Sequence, residues 1–156
     1  MRAIPSILAV AVTAAGLAGA TYGAFEHEWK AVLAPVSGSK ITGQAELEGK
    51  DKDKSSEAEI SIKGATAGAE LPWHVHTGKC GSSGGIVGDP KAYALLKVDK
   101  KGEAKGEAKL AIATPESGDY HVNVHKSAAE MGTIVSCGDL ARGDAKPKTT
   151  SSGSGY

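Results

Sequence analysis

Apolar and polar residues alternate with a period of two along much of the chain. Ala45 and Leu47 alternate with Gln and Glu, and after a charged turn Ala58, Ile60 and Ile62 alternate with Glu, Ser and Lys. Successive side chains of a strand point to opposite faces, so strict alternation is typical of a strand with one buried face. The two segments predict a β-hairpin.

A second hairpin is predicted further along the chain. Leu96 and Val98 lead into the turn Asp99–Gly102, and small or apolar residues then alternate with Lys and Glu as far as Ile112. Short helical turns are expected at 91–96 and 127–131, and the remaining strands are predicted at Glu28–Leu33, Leu71–His76, Tyr120–His125 and Ile134–Cys137. Several short strands between Gly and Pro turns predict an all-β barrel or sandwich.

The beginning of the chain has the pattern of a secretory signal. Arg2 precedes a run of apolar and small residues, which predicts a signal peptide over residues 1–20 with cleavage after Ala20. We therefore expect an exported protein, periplasmic or secreted, with no membrane attachment after cleavage. An uncleaved anchor is the poorer interpretation, because the run is near the lower limit for a membrane span.

Residues 142–156 have almost no apolar side chains and predict a disordered tail, which leaves one folded domain over 25–141.

Charge gives no indication of a charged partner. The chain has 156 residues, with 18 Lys and Arg against 18 Asp and Glu. No basic stripe with interleaved aromatic residues is present, so nucleic acid is not an expected partner.

The chain has two cysteines, Cys80 and Cys137. In an oxidising compartment an even count of this kind favours one disulfide, which would close a long loop. The alternative is that the thiolates are metal ligands, which an oxidising setting disfavours. We therefore predict a bridge from Cys80 to Cys137.

Four of the five histidines lie in two short clusters, H-V-H and H-V-N-V-H. If each cluster is extended, His74 and His76 share one face of their strand, and His121, Asn123 and His125 share one face of another. Two such strands side by side would bring up to four imidazoles together, which suits copper or zinc and does not suit calcium or magnesium. The alternative is that the histidines are solvated surface residues.

Several segments resemble the copper/zinc superoxide dismutases, in the same order along the chain. The resemblance is carried by Ile60–Gly68 running into Trp73–His76, then by Val98–Ala104, Val124–Lys126 and Ser136–Gly138. It implies an eight-stranded Greek-key β-barrel with one disulfide within the subunit.

Carried over by position, the resemblance implies that His74, His76 and His125 bind copper and that the two cysteines form the family disulfide. His121 has no counterpart in the family. Because it shares a strand face with His125, we predict it as a fourth ligand. The alternatives are a group that supports a ligand and an imidazole on the access side of the site.

Three departures from the family limit the comparison. The segment Gly81–Leu95 contains no histidine, so no family-type zinc site is expected and copper is the predicted cofactor. Only Lys126–Ser136 separates the last copper ligand from the second cysteine, which shortens the family's charged loop. Ile134 stands where the family has the arginine that helps to hold superoxide.

Three functions follow from these features. The first is a copper-dependent superoxide dismutase, in which Lys79 and Lys126 supply a positive field and no protein nucleophile is needed. The second is a non-enzymatic copper-binding or carrier protein, and the third is a zinc hydrolase, which lacks an evident general base. Superoxide or a copper ion is the expected small partner. A copper chaperone or a second copy of the chain is the expected protein partner.

Overall fold

The structure, a computed structural model, describes residues 28–50 and 54–143. The predicted signal peptide, residues 1–20, lies outside the described residues. So does the predicted tail beyond residue 143.

The described residues form an all-β structure, with 51% of them in strands. The one helical segment among them is a 3-10 turn at Pro90–Ala92. The strands are β1 (Glu28–Pro35), β2 (Thr42–Lys50), β3 (Ser55–Lys63), β4 (Glu70–Leu71), β5 (Trp73–Thr77), β6 (Leu96–Lys97), β7 (Ala104–Leu110), β8 (Tyr120–His125) and β9 (Ile134–Arg142). Within this part of the chain no helix is long and apolar enough to cross a membrane.

Seven of the strands form one antiparallel sheet in the order β5-β8-β9-β1-β2-β3-β7. The sheet curls into a half-barrel, and β4 and β6 form a separate two-stranded ribbon. The predicted all-β barrel or sandwich class is confirmed. The order also places β5 beside β8, although more than forty residues separate the two strands in the sequence.

The first predicted hairpin is confirmed by the pairing of β2 with β3. Ala45 lies opposite Ile60 and Leu47 lies opposite Ala58. All four side chains are buried. The alternation in the sequence therefore identified the buried face of this hairpin correctly.

The second predicted hairpin is wrong in its pairing. The turn at Asp99–Gly102 is present, with the Gly102 amide donating to the Asp99 carbonyl at 3.1 Å. The strands on either side belong to different sheets, since β6 pairs with β4 and β7 pairs with β3. The fully buried Leu96 packs onto β7 at Gly106, where a Cβ atom would meet the leucine side chain. The segment before the turn therefore lies across the face of β7 and not along its edge.

The strand predicted at Leu71–His76 is divided in two at Pro72. Proline has no amide hydrogen for a strand ladder, so pairing is interrupted there. On one side of the proline β4 pairs with β6, and on the other side β5 pairs with β8. The Pro72 carbonyl accepts a hydrogen bond from the His125 amide at 2.8 Å, which fixes β8 at the beginning of β5.

The predicted disulfide between Cys80 and Cys137 is confirmed. Cys80 follows β5, and Cys137 lies in β9 opposite Asn123 of β8. The Cys80 amide also donates to the Asp139 carboxylate at 2.6 Å. The bridge therefore joins the segment after β5 to the strand that borders β8.

We predict that replacing both cysteines with serine lowers the free energy of unfolding by about 4 kcal/mol, because the bridge closes a long loop in the unfolded chain. The sequence separation of its ends is 57 residues. Urea unfolding of the Cys80→Ser, Cys137→Ser double variant against wild type measures the difference. Equal unfolding midpoints for the two proteins would contradict this stabilising role.

Candidate metal centre

The pairing of β5 with β8 places the two histidine clusters on one face of the sheet. His74 lies opposite Asn123, and His76 lies opposite His121. Directly opposite residues of an antiparallel pair share a face. The residues between them, Trp73 and Val75 on β5 with Val122 and Val124 on β8, are fully buried on the other face. The predicted division into a histidine face and an apolar face is therefore correct.

Three of the histidines bring ring nitrogens together. The ligand atoms of His74, His76 and His125 all lie within 4.8 Å of one another. His74 Nδ1 and His125 Nε2 are 3.2 Å apart. His74 and His125 are 6% and 4% exposed, whereas His76 is half-buried. The arrangement is one that could hold a metal ion.

Two backbone carbonyls fix the orientation of the imidazoles. His76 Nδ1 donates to the Gly84 carbonyl at 3.0 Å, and His125 Nδ1 donates to the Met131 carbonyl at 2.6 Å. A ring nitrogen that donates carries the hydrogen of the neutral imidazole, so Nε2 of each ring carries a lone pair. Hydrogen bonds of this kind orient histidine ligands in metal sites.

The segment after β5 supplies one of these carbonyls because it runs back along the free edge of that strand. The Thr77 amide donates to the Gly85 carbonyl at 3.0 Å, and the Val87 amide donates to the Val75 carbonyl at 2.9 Å. A Cβ atom at Gly84 would overlap the Thr77 carbonyl, so glycine is required for this close approach. The glycine-rich segment therefore lines the site.

His76 Nε2 is a buried acceptor with no hydrogen-bond partner among the described residues. A buried polar atom without a partner costs free energy, and a metal ion would satisfy this lone pair. Three imidazole nitrogens suit copper or zinc. The residues present therefore fit a metal of this class.

The fourth histidine, His121, is completely buried beside this group. Its ring stacks on that of His76, with centroids 5.3 Å apart and planes 17° apart. His121 Nδ1 donates to the Gly78 carbonyl at 2.9 Å, and Nε2 accepts from the Asn123 amide nitrogen at 3.2 Å. Both nitrogens thus have protein partners. His121 is not one of the three residues whose ligand atoms converge, and its predicted role as a fourth ligand stays a prediction.

Burial keeps the converging imidazoles neutral. It is the main cause that lowers the pKa of His74 to about 4, and the nearby His125 and His76 rings lower it further. The pKa values of His76 and His125 are also lowered, chiefly by burial. A neutral imidazole is the form that binds metal ions. The three rings are therefore ready to act as ligands near neutral pH.

Both lysines that flank the histidine strands are paired with acids. Lys79 lies 3.8 Å from Asp119, and Lys126 lies 2.9 Å from Glu130. All four side chains are about half exposed or more. Each pair has a net charge near zero, so neither lysine attracts an anion as strongly as an unpaired cation would.

Two parts of the site have no recognisable signal in the sequence. The first is the pair of carbonyls that orient His76 and His125, because every residue has a carbonyl. The second is Tyr93, whose ring lies 5.1 Å from that of His74 and whose hydroxyl donates to the Val87 carbonyl at 2.7 Å. Burial raises the pKa of Tyr93 to about 12, so the hydroxyl remains protonated.

We predict that the metal-free protein loses stability in acid because of these imidazoles. His74 has an ordinary pKa of 6.5 and a pKa of about 4 in the fold, so the unfolded chain binds more protons between these values. The stability is fully present above pH 6.5 and falls as the pH is lowered toward 4. Urea unfolding across this range measures the loss, with His74→Gln as the control. Parallel curves for the two proteins would contradict the assignment.

No protein-family model matches this chain, and no curated protein matches it. The resemblance to the copper/zinc superoxide dismutases therefore remains a prediction from the motifs. The geometry and chemistry of the three imidazoles are the basis on which a function can be proposed.

Proposed function

We propose that this chain is an exported copper-binding protein in which His74, His76 and His125 hold the ion, and that the bound copper dismutates superoxide. The observation that carries the proposal is the convergence of the three ligand nitrogens within 4.8 Å. The order of motifs shared with the copper/zinc superoxide dismutases supports the reaction. A disulfide is compatible with the periplasmic or secreted location that the first residues predict.

Copper is favoured over other ions by the type of ligand. Imidazole nitrogen binds copper more tightly than zinc or the earlier divalent metals, whereas calcium and magnesium prefer oxygen. The site described above offers only nitrogen from its three converging side chains. A three-imidazole site also accommodates both oxidation states of copper, which differ in preferred ligand number and geometry.

The protein's contribution to the reaction is to hold and shield the site. The Gly84 and Met131 carbonyls fix the ring orientations, and the Tyr93 ring packs against that of His74. A bound copper ion would supply the electron-transfer chemistry, taking an electron from one superoxide and giving it to another. The two protons that convert the reduced superoxide to hydrogen peroxide would come from solvent water, and the reaction needs no protein nucleophile.

A second candidate is a copper carrier or store without dismutase activity. The pairing of Lys79 with Asp119 and of Lys126 with Glu130 favours it, because these pairs weaken the attraction of a superoxide anion. Such a protein would exchange copper with a chaperone or another partner. Both candidates use the same three ligands, so activity and not metal binding separates them.

We predict that the purified wild-type protein binds one equivalent of copper and that His125→Gln abolishes stoichiometric binding. The loss of one of three converging nitrogens leaves too few ligands for a tight site. His121→Gln is the matched control and should retain the copper, because both nitrogens of His121 have protein partners. Metal analysis and the nitrogen hyperfine pattern of Cu(II) measure the result. Copper lost equally from both variants would show that His121 is a ligand.

We predict that the copper-loaded wild type dismutates superoxide faster than the same concentration of copper held by a chelator. The His125→Gln variant, which keeps the fold's surface charges, serves as the control. A pulse-radiolysis assay follows the decay of superoxide directly. If copper is bound stoichiometrically and the decay is no faster than in the control, the carrier function replaces the enzymatic one.

A further inference from the structure

Asn123 occupies the centre of the histidine face without an assigned role. It lies opposite His74 in the strand pairing and two residues from both His121 and His125 along β8. Its side chain shares the face of these histidines and is 7% exposed. An amide buried among imidazoles needs partners for both its nitrogen and its oxygen.

The hydrogen bonds of His121 determine which way this amide is turned. His121 Nδ1 faces the Gly78 carbonyl at 2.9 Å and must donate to it, so Nε2 of the neutral ring is an acceptor. The Asn123 atom 3.2 Å from Nε2 must therefore be the amide nitrogen. The opposite orientation would place an oxygen lone pair against a nitrogen lone pair.

The oxygen of the same amide is buried and has no hydrogen-bond partner among the described residues. His76 Nε2 on the neighbouring strand is a second buried acceptor in the same condition. Two buried acceptors without donors on one face are costly. A metal ion would satisfy the imidazole nitrogen, but it would leave the amide oxygen in need of a hydrogen.

We propose that Asn123 Oδ1 is a positioning group that accepts a hydrogen bond from a protonated small molecule, such as water, in the open position of the metal site. This inference rests on the proposed copper site, and between its two candidate functions it favours the copper carrier, because superoxide is itself an anion without a hydrogen. The chain Gly78, His121 and Asn123 fixes the acceptor in place, and its oxygen selects ligands that carry a hydrogen over anions that carry none. Asn123 is thus a specificity-determining residue and not a metal ligand.

Azide, an anion without a hydrogen at neutral pH, is the probe for this selectivity. In copper-loaded wild type, azide must displace the hydrogen-bonded water and meet the negative end of the amide. Asn123→Leu has a similar volume and no acceptor, so we predict that it binds azide about tenfold more tightly, the value of one hydrogen bond. Asn123→Asp retains an oxygen acceptor, so its azide affinity should equal the wild-type value or be lower.

The measurement is an azide titration followed by the visible absorption and paramagnetic resonance of Cu(II), with copper affinity determined for each protein. If the leucine variant has a lowered unfolding midpoint, Asn123→Ser is used in its place. The serine hydroxyl is too short to reach the position of the Asn123 Oδ1 atom. Equal azide affinity in wild type and Asn123→Leu, or the same change in the leucine and aspartate variants, would overturn the role of Asn123. Failure of the wild type to bind copper would instead overturn the proposed function.

Discussion

The antiparallel pairing of β5 with β8 is the interaction on which the rest of the site depends. A shift of one residue in this register would turn one cluster of imidazoles toward the core. The register is fixed from both sides of the sheet. Trp73 and Val75 are buried in the core, and Val124 lies opposite Trp73. The Pro72 carbonyl also accepts a hydrogen bond from the His125 amide. Packing on the apolar face and this hydrogen bond together set the positions of the histidines on the opposite face.

Backbone carbonyls orient the histidine rings that the strand pairing brings together. The segment after β5 passes close to Thr77 at Gly84, where a side chain could not fit, and its carbonyl holds the His76 ring. The segment after β8 returns the Met131 carbonyl to His125. The disulfide ties the first of these segments to β9. The ligand rings are thus oriented by loops that the sheet and the crosslink hold near it.

Burial gives these rings a chemical character that surface histidines lack. It lowers the pKa values of His74, His76 and His125, and it leaves His76 Nε2 and Asn123 Oδ1 without donors among the described residues. Two buried acceptors without donors are unfavourable in the free protein, and a positive ion would relieve the one on His76. Stability and the proposed metal binding would therefore be opposed here, as is common where polar groups are assembled for binding.

Local patterns in the sequence predicted most of the strands with their buried faces, the disulfide and the histidines that share a face, because alternation and residue type are local properties. The sequence did not determine the partners of β6 and β7, because local alternation does not reveal that Leu96 packs across the face of β7 at Gly106. Nor did it separate His121 from the three converging histidines. That distinction depends on the Gly78 carbonyl and the Asn123 amide, which only the folded chain brings to its ring nitrogens.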